Sequence, residues 1–155
     1  MKTPISRIML TACAVLLASS TAWAQNENEA GKCDAKSLQG DYGVHVEGVV
    51  LTIPGFVLPP GGFLLRGVAM TRFDGKGKLT QVDFITVNGG APPVDWAPGS
   101  GEYKVNADCT GTWILRIPGN PLSPVKVHFV IVKRGAEIRT VVDANAVTSI
   151  GVKVD

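Results

Sequence analysis

From Asp41 onward, stretches dense in Val, Ile, Thr and aromatic residues alternate with connections of two distinct kinds, and no helical period is sustained anywhere among them. Eight stretches read as strands: 41–50, 63–73, 78–87, 101–107, 110–117, 125–134, 137–143 and 146–154. Asp74-Gly75-Lys76-Gly77, Asp108-Cys109 and Gly135-Ala136 are tight turns, in which Gly and Asp supply the positive φ that hairpins need. The connections 51–62, 88–100 and 118–124 are long and rich in proline (LTIPGFVLPPGG, NGGAPPVDWAPGS and PGNPLSP), and Ala144-Asn145 is short. If successive strands run up and down, the three long connections fall at one end of the sheet and the three tight turns at the other. Eight meandering strands with one sealed and one looped end predict a single eight-stranded antiparallel up-and-down β-barrel, a closed form that leaves no free sheet edge.

The cysteines test this layout independently. Cys33 lies a few residues before the first strand, which must begin at the tight-turn end, and Cys109 sits in a tight turn of that same end. The two thiols are brought together without having been used to arrange the strands, and a Cys33–Cys109 disulfide is expected.

The start of the chain indicates the compartment. Lys2 and Arg7 precede an apolar run from Ile8 to Ala18, and Ala22-Trp23-Ala24 forms a small-x-small cleavage site, the pattern of a secretory signal peptide over 1–24. The run is too short to span a bilayer, so no membrane span is expected after cleavage, and the mature chain is expected in the periplasm or outside the cell. Cleavage removes Cys13, leaving Cys33 and Cys109 as one pair. It also takes the 15 basic residues to 13, equal to the 13 acidic residues. A neutral mature chain lacks the basic footprint of a nucleic-acid binder. Residues 25–39 read as a polar tail followed by one helical turn stopped by Gly40, and 40–155 as the barrel domain.

The motifs L-x-G-x-Y at Leu38, Gly40 and Tyr42, FDGKGKLT at 73–80, NG at 88–89 and GEYKVNADCTGT at 101–112 resemble those of a common group of secreted bacterial proteins of about this size, mostly described as hypothetical. The resemblance covers most of the mature chain, and its motifs specify hairpins without implying a chemistry. The eight-strand layout is more loosely similar to lipocalin-like barrels and to those of allene oxide cyclases and dirigent proteins. The chain has no lipocalin Gly-x-Trp near the mature start, and the cyclase and dirigent catalytic residues have no place on it, so no site is carried over from either.

Read for chemistry, the residues offer few constellations. Asp74-Gly75-Lys76-Gly77 lacks the further carboxylates of a calcium loop, the two histidines show no metal-ligand spacing, and no Gly-x-Ser-x-Gly elbow is present. No metal or cofactor is therefore expected. Strand alternation places His45 with Glu47, Arg66 with Arg72, and His128 with Lys126 and Arg134. Facing inward, His45, Glu47, Arg66 and His128 would form a polar pocket with an acid or base, as in a cyclase-like enzyme. Facing outward they are a solvated surface, with Tyr42, Val44, Val46, Phe63, Leu65, Ala69, Val127, Phe129 and Ile131 filling the interior, the usual arrangement of two-faced strands. Val130 and Val132 share the His128 face, and such two-sided apolar strands mark a possible homo-oligomer interface. The long loops add a third signal in Ile53, Phe56, Leu58, Val94, Trp96 and Leu122. These residues either plug a filled barrel, line the mouth of a cavity for a small apolar or amphipathic molecule, or face a partner. The expected activity is binding of such a molecule at the looped end.

Overall fold

The computed structural model describes residues 32–154. The signal peptide expected over 1–24 lies outside the described residues, as does most of the polar tail. Eight strands follow in order: β1 (Gly40–Val50), β2 (Phe63–Phe73), β3 (Lys78–Val87), β4 (Ala97–Val105), β5 (Thr110–Arg116), β6 (Val125–Val132), β7 (Glu137–Val142) and β8 (Ala146–Lys153). Each pairs antiparallel with its neighbour in sequence, and β1 pairs with β8 to close the barrel. The expected up-and-down topology is the observed one.

Several strand boundaries differ from the sequence reading, chiefly the start of β4 and the end of β6. β4 begins at Ala97, because Ala97, Pro98 and Gly99 ladder onto Asp83, Val82 and Gln81 of β3. Pairing of β4 with β5 starts only at Ser100, so Pro98 occupies a one-sided strand end, where its missing N–H costs no ladder bond on the other side. β6 stops at Val132, and Lys133 and Arg134 take positive φ of 51° and 56° in a 3-10 turn leading to β7.

At the tight-turn end the barrel is solid. Phe73 sits at its centre, edge-on to Tyr42 and Tyr103 with ring centroids 5.4 and 5.1 Å away, and Trp113 stacks on Phe129 at 5.3 Å. Beneath them the 3-10 turn Ala35–Leu38 closes the base, with Leu38 fully buried. Asp34 caps that turn through the Ser37 N–H, and the Ser37 hydroxyl accepts in return from the Asp34 N–H. Two buried phenols fasten the base: Tyr42 Oη donates to the Gly135 carbonyl and Tyr103 Oη to the Ala35 carbonyl. Gly135 has a φ of +87°, and a Cβ there would stand 2.3 Å from the Ser37 carbonyl oxygen, so only glycine permits this approach. The Cys33–Cys109 disulfide ties the turn to the β4–β5 connection, as the topology requires.

Candidate ligand-binding cavity

The opposite half of the barrel is hollow. A chamber of about 110 Å³ lies above the aromatic base, floored by Trp113 and walled by residues such as Val44, Val46, Val127 and Val147. It continues into a mouth of about 500 Å³ under the three long loops, lined by Ile53, Phe63, Pro92 to Val94 and Pro118 to Leu122. Val50, Leu65, Asp83, Ile85, Ile117, Asn120 and Leu122 line both, so the two spaces form one pocket opening at the looped end. A mouth of this volume falls within the range of small-molecule sites.

Asparagines hold the rim in shape. Asn145, in the β7–β8 connection, accepts hydrogen bonds from the Leu51 and Thr52 N–H groups at 2.7 and 3.1 Å, fastening the exit of β1. Asn88 accepts from the Leu64 N–H at 2.9 Å, and Asn120 from the Leu122 N–H at 2.8 Å. Asn145 and Asn88 supply acceptors where the β1 and β2 ladders end, and Asn120 closes a local turn within its loop. The first loop re-enters β2 through Gly62, at a φ of +71°, where a Cβ would meet the Val50 carbonyl oxygen at 2.2 Å.

The wall is mainly apolar, and besides Asn120, Asn145 and Thr148 it carries two hydrogen-bonded polar groups. Thr71 Oγ1 donates to Gln81 Oε1, and Gln81 Nε2 donates to Asp83 Oδ2, both at 2.8 Å. Thr140 and Ser149 share a hydrogen bond of 2.6 Å on β7 and β8. Asp83 is 5% exposed, and burial raises its carboxyl above the usual carboxylate range, partly opposed by the Gln81 hydrogen bond. Among the described residues, Asp83 is the only ionisable side chain lining either space.

The sequence candidates divide between the two faces of the sheet. Ile53, Val94 and Leu122 line the mouth, and Leu58 packs beside the buried Val50, Ile53 and Leu65. Phe56 is 64% exposed, whereas Ile53, whose carbonyl accepts from the Phe56 N–H across the turn through Pro54 and Gly55, is buried. Trp96 is also turned outward, at a φ of +52°, with its ring 6.2 Å from that of Phe84 on the outer surface. His45, Glu47, Arg66 and His128 all stand on the outer surface. Glu47 faces Arg66 across β1 and β2 at 3.7 Å, and His128 Nε2 lies 3.9 Å from Asp143 Oδ2. The polar pocket that inward orientation would have made is therefore not formed by these four, and the interior holds Tyr42, Val44, Val46, Phe63, Leu65, Ala69, Val127, Phe129 and Ile131. Asp83, Gln81 and Thr71 were not among the sequence candidates. The alternation Leu79, Gln81, Asp83, Ile85 carried the signal, since its two ends are aliphatic and mark the inward face.

Fold and pocket together define a disulfide-closed, up-and-down eight-stranded β-barrel with an apolar cavity open at one end. Compared with protein-family models, curated proteins and solved structures, the chain finds no match.

Proposed function

We propose that this chain is an exported carrier of a small amphipathic molecule, whose apolar body lies under the rim and whose polar end reaches the Thr71–Gln81–Asp83 wall. The observation that carries this reading is the division of the barrel into a packed half and a hollow half, the hollow half being the one with the stiffened loops. A disulfide fits the periplasmic or extracellular location that cleavage after Ala24 implies. The likeness of the turn motifs to secreted bacterial proteins, and of the layout to lipocalin-like barrels, supports the same reading. Binding is favoured over cyclase-like catalysis because, among the described residues, Asp83 stands in the cavity without a second ionisable group to share acid and base roles. Native mass spectrometry of protein purified from its own host tests the proposal: a mass above that of the chain, released on denaturation, is expected. Ile85→Trp, which fills the junction of the two spaces, should lose the adduct. No adduct, together with no uptake of an apolar fluorescent probe by the wild type, would overturn it.

One observation favours self-association in addition. Ile150, His45, Val68 and Phe84 stand in cross-strand register across β8, β1, β2 and β3, and Val152, Gly43, Met70 and Val82 form the next row. Gly43 leaves a trough between exposed apolar ridges, with Trp96 in its lining, and no Lys, Arg, Asp or Glu in it. A largely apolar face of this kind fits a second copy of itself. The same spectra read this directly, as a dimer that Trp96→Asp dissociates.

A further inference from the structure

Asp83 poses a question that carriage of a purely apolar molecule leaves unanswered. Its carboxyl faces a cavity whose other lining groups are aliphatic, aromatic, hydroxyl or amide. Its immediate cross-strand partners, Ala69 on β2 and Ala97 on β4, carry no charge, and among the described residues no ion pair involves it. The lysines and arginines in ion pairs along the barrel stand more than half exposed on its outer surface and at its turns. One neutral donor, Gln81 Nε2, reaches Oδ2. A carboxylate placed this way is poorly solvated and lacks a countercharge, an arrangement unfavourable for the empty protein and relieved by a cation.

We propose that the ligand is an organic cation, an amine-bearing amphiphile whose ammonium group pairs with Asp83 while its apolar body fills the mouth beneath Ile53 and Leu122. The inference rests on the carrier reading and narrows it to a chemical class. Asp83 borders both the deep chamber and the mouth, so a head group reaching it leaves the apolar portion in the larger space. The same carboxylate repels fatty-acid anions, which would otherwise suit an apolar barrel. A neutral alcohol can donate one hydrogen bond but leaves the charge uncompensated.

Three ligands of equal chain length separate these cases: octylamine, octanol and octanoate, titrated against the full-length protein near neutral pH with Trp113, which lines the chamber, as the fluorescence reporter. Octylamine is expected to bind at least about tenfold more tightly than octanol, the lower end of what a desolvated charge pair contributes, and octanoate the most weakly. In Asp83→Asn the amine and the alcohol should bind alike. A wild-type titration toward acid supplies a reading that needs no variant. Among the described residues Asp83 is the only titratable group facing the cavity, and its protonation should erase the preference for the amine. Octanol or octanoate binding the wild type as well as octylamine, or an undiminished preference in Asp83→Asn, would overturn the inference and leave the carrier reading standing. Failure of all three to bind would overturn both.

Discussion

Removing the Cys33–Cys109 bridge should cost a large part of the stability of this barrel and none of its affinity for a ligand. The two cysteines are 76 residues apart in sequence, and their Cα atoms lie 4.9 Å apart. Closing a loop of that length lowers the entropy of the unfolded chain by about 15 cal/mol/K, worth on the order of 4.5 kcal/mol at 25 °C. The native state loses little else in a Cys33→Ala/Cys109→Ala variant, because Leu38 remains sealed in the base and the Cys33 N–H still reaches the Ala107 carbonyl at 3.2 Å. Against a typical total of about 5–15 kcal/mol the variant stays folded at room temperature with a reduced margin. For a domain of this size the unfolding entropy near 60 °C is about 0.25 kcal/mol/K, so the midpoint should fall by about 15–20 °C. Urea and thermal unfolding followed by tryptophan fluorescence measure both. The denaturant slope should rise as well, since an uncrosslinked denatured chain exposes more surface. A loss below about 1 kcal/mol would refute the loop-closure reasoning. A parallel loss of ligand affinity would refute the separation of the base from the cavity.

Two further outcomes follow from the hydrogen bonds at each end. Burial, reinforced by the neighbouring Tyr103 phenol, pushes Tyr42 from an ordinary value of 10.0 up to about 12. Because the folded value is the higher one, the associated stability is fully present below pH 10 and is lost as pH rises through 12, a decline on the order of 2–3 kcal/mol. Tyr42→Phe should start about 1 kcal/mol less stable, without the bond to the Gly135 carbonyl, and show a flatter alkaline decline in urea midpoints. At the rim, Asn145→Ala should release the Leu51 and Thr52 amides to fast hydrogen exchange while Tyr103 at the base stays protected, and equal loosening of both ends would contradict a locally held rim.

The topology was legible because it rests on turn chemistry, which is local. Asp74 and Gly75 to Gly77 specify a hairpin whatever surrounds them, and the alternation of such turns with proline-rich connections orders the strands before any contact is known. The orientation of the strands was also legible for β1, where Tyr42 and Val44 alternate with Gly43 and His45. What the sequence could not reveal was which way a loop side chain turns. Phe56 and Trp96 have the composition of cavity residues, yet Phe56 stands exposed after the Pro54-Gly55 turn, and Trp96, at a positive φ, lies beside Phe84 on the outer surface. Asp83 escaped notice for the opposite reason. A carboxylate in a strand is ordinarily solvent-facing, and only its register with Leu79 and Ile85 shows that this one faces inward.

The pairing of β1 with β8 joins the first and last strands, Tyr42 with Lys153 at one end and Val49 with Ala146 at the other. Every other ladder can zip as soon as its hairpin has been made, but this one waits for the C-terminal strand. A nascent chain therefore holds an open sheet with two unsatisfied margins until β8 emerges, a state hazardous if prolonged. Truncation within β8 would arrest the chain in that state, with the edges of β1 and β7 exposed to pairing with any neighbour. Closure is thus both the last step of folding and the event that converts a sticky ribbon into a vessel.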